Sequence, residues 1–217
     1  MKTSFLKIFA VITLIATTSC ADKAKEAETK EAEAAAVAED AAINYNVNTD
    51  TSMIEWTGFK PTGSHNGAIA ISRGNIQVKD NAIESGKFTF DMNSITVIDI
   101  PVEKEGNAKL AGHLKGADFF DVETYPISKF EVTSIETVDG ITMLSGNLTM
   151  KDATNNISFP VSTEMKDDLM MLTSDTFTID RSKWNVKHGS KSFFDNLGDK
   201  FINDDIELKV TLVANKG

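Results

Sequence analysis

From Ile54 to Leu212 the chain alternates apolar and polar residues with period two, in eight separate runs. Ile54 and Trp56 form the first, and Ile76 and Val78 the second. Phe88, Phe90 and Met92 follow, then Phe130 and Val132. Leu144, Gly146, Leu148 and Met150 form the fifth, and Ile157, Phe159 and Val161 the sixth. Phe177 and Ile179 precede the last run, Ile206, Leu208, Val210 and Leu212. Period two is the pattern of a strand with one buried face. Asp80-Asn81, Ser85-Gly86, Asp139-Gly140 and Asp167-Asp168 are turn signals between runs. Asp139-Gly140 marks a tight hairpin, because both turn positions need positive φ. Sequential strands should pair antiparallel. Strands that each carry one apolar face can close into a barrel, which removes exposed edges; a two-sheet sandwich is the alternative. Pro160 inside a run points to an edge, bulge or rim. The expected fold is all-β, an eight-stranded antiparallel barrel with one or two short helical segments.

The stretch Gly112–Pro126 breaks the alternation. Leu110, Leu114 and Ala117 can share one helical face. Tyr125-Pro126 then forces extended backbone. This segment should cap or cross the barrel.

The N-terminus has its own organisation. Lys2 and Lys7 flank a polar start, Ile8 to Ala16 is nearly all apolar, and Thr17, Thr18 and Ser19 lead to Cys20. The apolar run matches a signal peptide and is too short to span a bilayer. A cysteine placed after small residues suggests a bacterial lipoprotein signal, residues 1–19, with Cys20 as the lipidated residue. Thr17 departs from the Leu usual three residues before that cysteine. Cys20 is the only cysteine, so it cannot form an internal disulfide. Residues 20–42 are almost entirely Ala, Glu, Lys, Asp and Thr, with Val37 the only larger aliphatic side chain. Such a segment is expected to be a solvated tether. The folded domain is then 43–217. The expected location is outside the cytoplasm, anchored to a membrane and facing periplasm or cell surface.

The net charge is −10. An acidic chain without a basic cluster argues against nucleic-acid binding and against electrostatic docking on anionic lipid. Membrane attachment would come from the N-terminal lipid. An eight-stranded barrel either fills with side chains or holds one elongated ligand. The inward set, rich in Phe, Leu, Ile, Val and Met, suits both.

Several motifs carry a resemblance. They are His113-Leu114-Lys115-x-x-Asp118-Phe119-Phe120-Asp121-Val122-x-x-Tyr125-Pro126-x-x-x-Phe130, Leu144-x-Gly146-x-Leu148-Thr149 and Phe177-Thr178-Ile179-Asp180-Arg181-Ser182-x-Trp184. Gly198-Asp199-Lys200 before Ile206-Glu207-Leu208 follows in the same order. Together they resemble the YceI-like family. Trp56-Thr57-Gly58-x-Lys60-Pro61-Thr62-Gly63-Ser64-His65 resembles a subset of that family with a lipoprotein start. The resemblance implies a lipocalin-like barrel with an apolar channel for a polyisoprenoid or other long-chain lipid, and no catalytic residues. On that reading the ligand would be touched by Trp56, Phe88, Phe90, Phe119, Phe120 and Phe130. Val132, Leu148, Phe159, Phe177, Ile179, Leu208 and Val210 complete the set. Homodimerisation is left open.

Other chemistry is thinly supported. His65, His113 and His188 lie too far apart in sequence to form a metal motif, so no metal and no cofactor is expected. Ser64-His65 with Asp118 or Asp121 lacks a strand–nucleophile–helix elbow. Asp118 and Asp121 read as cap and turn residues. Arg181 and Trp184 read as a cation–π corner. Two readings remain: a lipid-anchored binding barrel that transports, stores or sequesters its ligand, and a solid-core barrel acting as a non-enzymatic envelope stress or interaction protein.

Overall fold

A computed structural model describes residues 24–217. The expected signal peptide and Cys20 lie outside the described residues. The strands in chain order are β1 (Lys25–Glu26), β2 (Glu28–Glu31), β3 (Ile43–Val47), β4 (Met53–Lys60), β5 (Gly63–Lys79) and β6 (Ala82–Val97). After α1 (Glu105–Lys115) come β7 (Ile127–Val138), β8 (Ile141–Met150), β9 (Ala153–Lys166), β10 (Leu169–Ser174), β11 (Phe177–Asp180) and β12 (Asp205–Lys216).

Antiparallel pairing runs β4–β5–β6–β7–β8–β9–β10–β12 and returns from β12 to β4, so the sheet closes on itself. The short strands share positions. β3 and β4 both lie between β5 and β12, and β10 and β11 both lie on the other edge of β12. Each of the eight alternating runs therefore occupies one position of the ring. The Asp139-Gly140 hairpin forms as its chemistry requires, with φ of 53° and 80°. Ser85-Gly86 is not a turn. It lies inside β6, where Gly86 pairs with Ile76. Its lack of a side chain leaves room for Phe88 and Val132, each 3.2 Å from where a Cβ would sit.

The expected tether is only partly solvated. Between β9 and β11 the ring has a seam, and the N-terminal segment fills it. β1 pairs in parallel with β11, Lys25 opposite Phe177. β2 pairs antiparallel with β9, Glu28 opposite Ser158. Ala27 between them is buried, and its N–H donates to the Thr178 carbonyl at 2.8 Å. Pro160 sits where β9 changes neighbour, between Ser158 facing β2 and Val161 facing β10. A residue without an N–H suits that fork. Past β2 the chain continues over the outer face of the sheet. The Asn147 side chain accepts from the Glu33 N–H at 3.0 Å and donates to the Glu33 carbonyl at 2.7 Å. Ala36 N–H donates to the Val132 carbonyl. Backbone hydrogen bonds hold this segment, so its alanine- and glutamate-rich side chains gave no sign of it.

Inside the ring a layer of phenylalanines from four strands closes the lower half. Phe88 and Phe130 have ring centroids 6.3 Å apart, Phe130 and Phe159 5.8 Å, and Phe159 and Phe177 4.2 Å, the last pair stacked. Gly146 of β8 faces this layer, and a Cβ there would fall 2.3 Å from the Phe130 ring. The other end of the barrel is roofed by α1, which packs on β6. Asn107 of α1 donates to the Val97 and Ile100 carbonyls, fixing the start of the helix to the strand end. Leu114 is the residue it buries. The helix stops at Gly116, ten residues ahead of Pro126, and a run of turns links it to β7.

The covered outer face generates a test. Asn147→Ala would remove both side-chain hydrogen bonds that hold Glu33. At about 0.5–1.5 kcal/mol for each net hydrogen bond, chemical denaturation should show a loss of about 1–3 kcal/mol. Were residues 24–42 a free tether, an outward-facing position would tolerate the change within about 0.5 kcal/mol.

Candidate ligand cavity and its mouth

Above the phenylalanine layer the barrel is hollow. A cavity of about 340 Å³ lies between the layer and α1. That is within the roughly 300–1,000 Å³ range of ligand pockets. A second space of about 50 Å³ lies lower, and Ile54, Phe90, Leu148 and Leu208 line both. The interior thus tapers from a larger space at the α1 end to a smaller one at the phenylalanine layer.

The expected ligand contacts divide along this taper. Trp56, Phe90, Phe119, Phe120, Leu148 and Leu208 line the upper cavity. Phe88, Phe130, Phe159, Phe177 and Val210 line only the lower space. Val132 and Ile179 are buried but line neither. Sequence reasoning missed Ile54, Met92, Met150 and Ile206 in the upper wall. Each sits two residues from an expected contact in the same run, so strand parity alone could have found them.

Two wall residues are polar and lack partners. Among the described residues, the buried Trp56 Nε1–H and Ser128 Oγ have no hydrogen-bond partner, and both residues line the upper cavity. Ser128 shares strand parity with Phe130 and Val132, which places a hydroxyl in an otherwise greasy wall. Trp56 is held where Gly67 leaves space: a Cβ there would lie 2.7 Å from the indole ring. Orphaned buried polar atoms are costly; both atoms are shut off from the cavity space, so the two residues meet it through their other atoms.

The mouth is polar. Lys60, His65, His113, His188 and Lys200 all border the upper cavity. Arg181, fully buried, ties the rim together. It donates from Nε to the Asn203 carbonyl (3.0 Å), from Nη1 to Val186 (2.6 Å), and from Nη2 to His188 (2.9 Å) and Ile202 (3.1 Å). Its ring partner is Phe119, at 5.3 Å, not Trp184. Trp184 instead donates its Nε1–H to the Leu148 carbonyl at 2.8 Å. Asp118 is not a cap residue. Its Oδ2 lies 3.1 Å from His188 Nδ1 and 3.5 Å from His113 Nε2. Asp121 is a turn residue as expected, with φ of 48°. Phe119 packs edge-on against Phe120, 5.1 Å between centroids, so both rings wall the cavity and close its mouth.

His65 is paired elsewhere than with Asp118 or Asp121. Its Nδ1 meets Asp99 Oδ2 at 2.7 Å, while Asp99 Oδ1 accepts from the Asn66 N–H at 3.0 Å. This clamp fixes the β4–β5 hairpin to the chain leaving β6.

The YceI-like domain family matches residues 45–214. The chain belongs to the YceI-like family. No curated protein matches it. Among solved structures, this YceI-like chain is similar to BcnA from Burkholderia cenocepacia, with 22% identity and a TM-score of 0.63 over 78% of this chain and 99% of that one. A polyisoprenoid binding domain from Saccharophagus degradans, implicated in plant cell wall breakdown, is similar with 13% identity and a TM-score of 0.61 over 81% of this chain and 99% of that one. At these identities the likeness establishes the barrel fold that YceI-like proteins share.

The Asp99 clamp predicts a pH effect. Partial burial raises the Asp99 pKa, but the Asn66 N–H, the His65 hydrogen bond and the His65 charge outweigh it and hold the carboxyl below its ordinary value. A depressed acid stabilises the fold above its unfolded-state pKa, and that contribution is lost as pH falls through the folded-state value. Asp99→Asn should therefore be less stable than wild type at neutral pH, and the gap should close below about pH 4. Urea midpoints across that range measure it; a gap of constant size would clear Asp99 of the effect.

Proposed function

We propose that this barrel binds an amphiphile with one long apolar chain, of the polyisoprenoid or fatty class, and carries or sequesters it outside the cytoplasm. The hollow upper barrel is the observation that carries the reading. A solid-core barrel would close-pack its interior as protein cores do, whereas here the inward side chains leave a space of about 340 Å³. The taper suits a chain entering tail first, with its end against the phenylalanine layer. The cationic and imidazole groups of the mouth suit a polar head. The solved relative from Saccharophagus degradans is described as polyisoprenoid binding, which agrees with a chain of this class. The wall offers mainly apolar contact, so the reading is of a binding protein without catalysis.

Native mass spectrometry of gently purified protein should show a discrete added mass of lipid size. Leu208→Trp puts an indole into the upper cavity, where the ligand chain would lie. Overpacking a solid core costs about 1–3 kcal/mol, whereas filling a channel costs the empty protein little. The delipidated variant should thus match delipidated wild type in stability and retain no lipid. Early unfolding of the variant, with no extractable lipid in wild type, would reverse the proposal in favour of a structural barrel. Trp56→Phe keeps most of the ring and removes the orphaned donor. Because a buried unsatisfied donor costs about 1–3 kcal/mol, the empty barrel should be at least as stable as wild type by urea denaturation.

The signal pattern ending at Cys20 supports attachment to a membrane through lipid on that residue, with the barrel facing periplasm or cell surface. Cys20→Ala should then move the protein from the membrane fraction to the soluble fraction. Equal partition of the two forms would rule the anchor out.

A further inference from the structure

The sequence spreads its three histidines over more than a hundred residues, but the fold brings two of them together at the mouth, with a carboxylate between. His113 comes from the last turn of α1 and His188 from the loop that Arg181 holds. Their rings meet edge to face at 4.7 Å between centroids. One ligand atom from each of His113, Asp118 and His188 lies within 4.8 Å of the other two. We propose that these three residues bind a divalent transition metal of the zinc class.

The donor set supports it. Two imidazoles and one carboxylate hold zinc and related first-row metals in sites that keep a further position open. Bonds of about 2.0–2.1 Å in a tetrahedral array place neighbouring donor atoms roughly 3.3 Å apart. Asp118 Oδ2 already lies 3.1 Å from His188 Nδ1 and 3.5 Å from His113 Nε2. Both rings are partly exposed, so a metal would complete the set by drawing the two imidazoles together. Exposure also gives the ion an approach from solvent. The backbone is fixed in advance. Arg181 Nη2 holds the His188 carbonyl at 2.9 Å, Gly116 N–H closes on the His113 carbonyl at 3.1 Å, and Phe119 packs edge-on against His113 at 5.8 Å. His113 and His188 also line the upper cavity, so the open position of the metal would border its mouth.

The rival account is a latch in which Asp118 simply pairs with two histidines and so pins α1 to the loop. Zinc binding separates the two. The full chain carrying Cys20→Ser, which removes the lone thiol as a competing ligand, should be freed of metal and titrated with zinc. It should take up about one equivalent, and its melting temperature should rise with zinc. His113→Ala and His188→Ala should each weaken binding by more than the roughly 10–100-fold that outer-shell changes cost. Both should melt near the metal-free parent, because the two side chains are half exposed. Asp168→Asn, which changes an exposed carboxylate paired with Lys216 and not the cluster, should bind as the parent does. Cobalt in place of zinc should give visible absorption in the parent that is absent in the cluster variants. A parent that takes up no zinc, or binding unchanged in both cluster variants, would leave the latch as the account. The titration reads metal alone, so its outcome is independent of whether lipid occupies the barrel.

Discussion

Arg181 buries a full positive charge beneath the mouth of the barrel, and the shape of the site depends on how that charge is satisfied. Burial lowers the pKa of the guanidinium, and the charges of Asp204 and Asp180 oppose the shift. Four carbonyls accept its N–H groups, and Asp204 Oδ1 sits 3.5 Å away, at ion-pair distance. Those carbonyls belong to two passes of the loop between β11 and β12, one through Val186 and His188 and one through Ile202 and Asn203. The guanidinium thus acts as the strand that this corner lacks, holding two irregular segments side by side. Asp180 starts the corner by accepting from Ser182 N–H and Oγ at 2.9 and 2.6 Å. Lysine could not replace Arg181, since a single ammonium has three donors and no fork to span both passes.

The same residue links the mouth to the interior. Its face stacks on Phe119, which walls the cavity and touches both His113 and His188. Below, the barrel narrows to about 50 Å³ where four strands each contribute a phenylalanine, and Gly146 makes room for one of them. Above, aliphatic side chains and the small Ser128 stand beside Trp56 and Phe90, and α1 spans the opening without filling it. Hollow and packed halves therefore follow from which side chains the strands present at each level. Closure of the ring is common to both.

Much of the barrel was legible because alternation is a direct record of strand pleat. All eight runs found their places, and the Asp139-Gly140 turn followed from backbone sterics. Ser85-Gly86 misled because a strand glycine placed for close packing looks the same as a turn glycine. β1 and β2 were illegible for a deeper reason. A segment held by its backbone leaves no apolar stripe, and only Ala27 is small and apolar enough to mark the buried spot. The histidine cluster was hidden because its members are 75 residues apart and meet only once α1 roofs the mouth. The hollow could not be read either, since the same apolar residues line a channel or fill a core.

The seam strand changes what an N-terminal anchor would mean for this molecule. A solvated tether running from Cys20 to Ala42 would let the barrel range far from a membrane. In the structure the chain is fixed to β11 from Lys25 onward. Under the proposed lipidation, five peptide steps separate the lipid from the barrel wall, about 17 Å at full extension. That is well below the thickness of a bilayer's hydrocarbon core, roughly 30 Å, so the barrel would be held against the headgroup surface. A long-chain ligand has almost no free concentration in water, because each methylene moved out of an apolar phase costs about 0.8 kcal/mol. A carrier held at the surface can take such a chain directly from the bilayer, and the tight pairing of β1 and β2 is what would keep it there. The N-terminal segment is then part of the binding apparatus as much as of the fold.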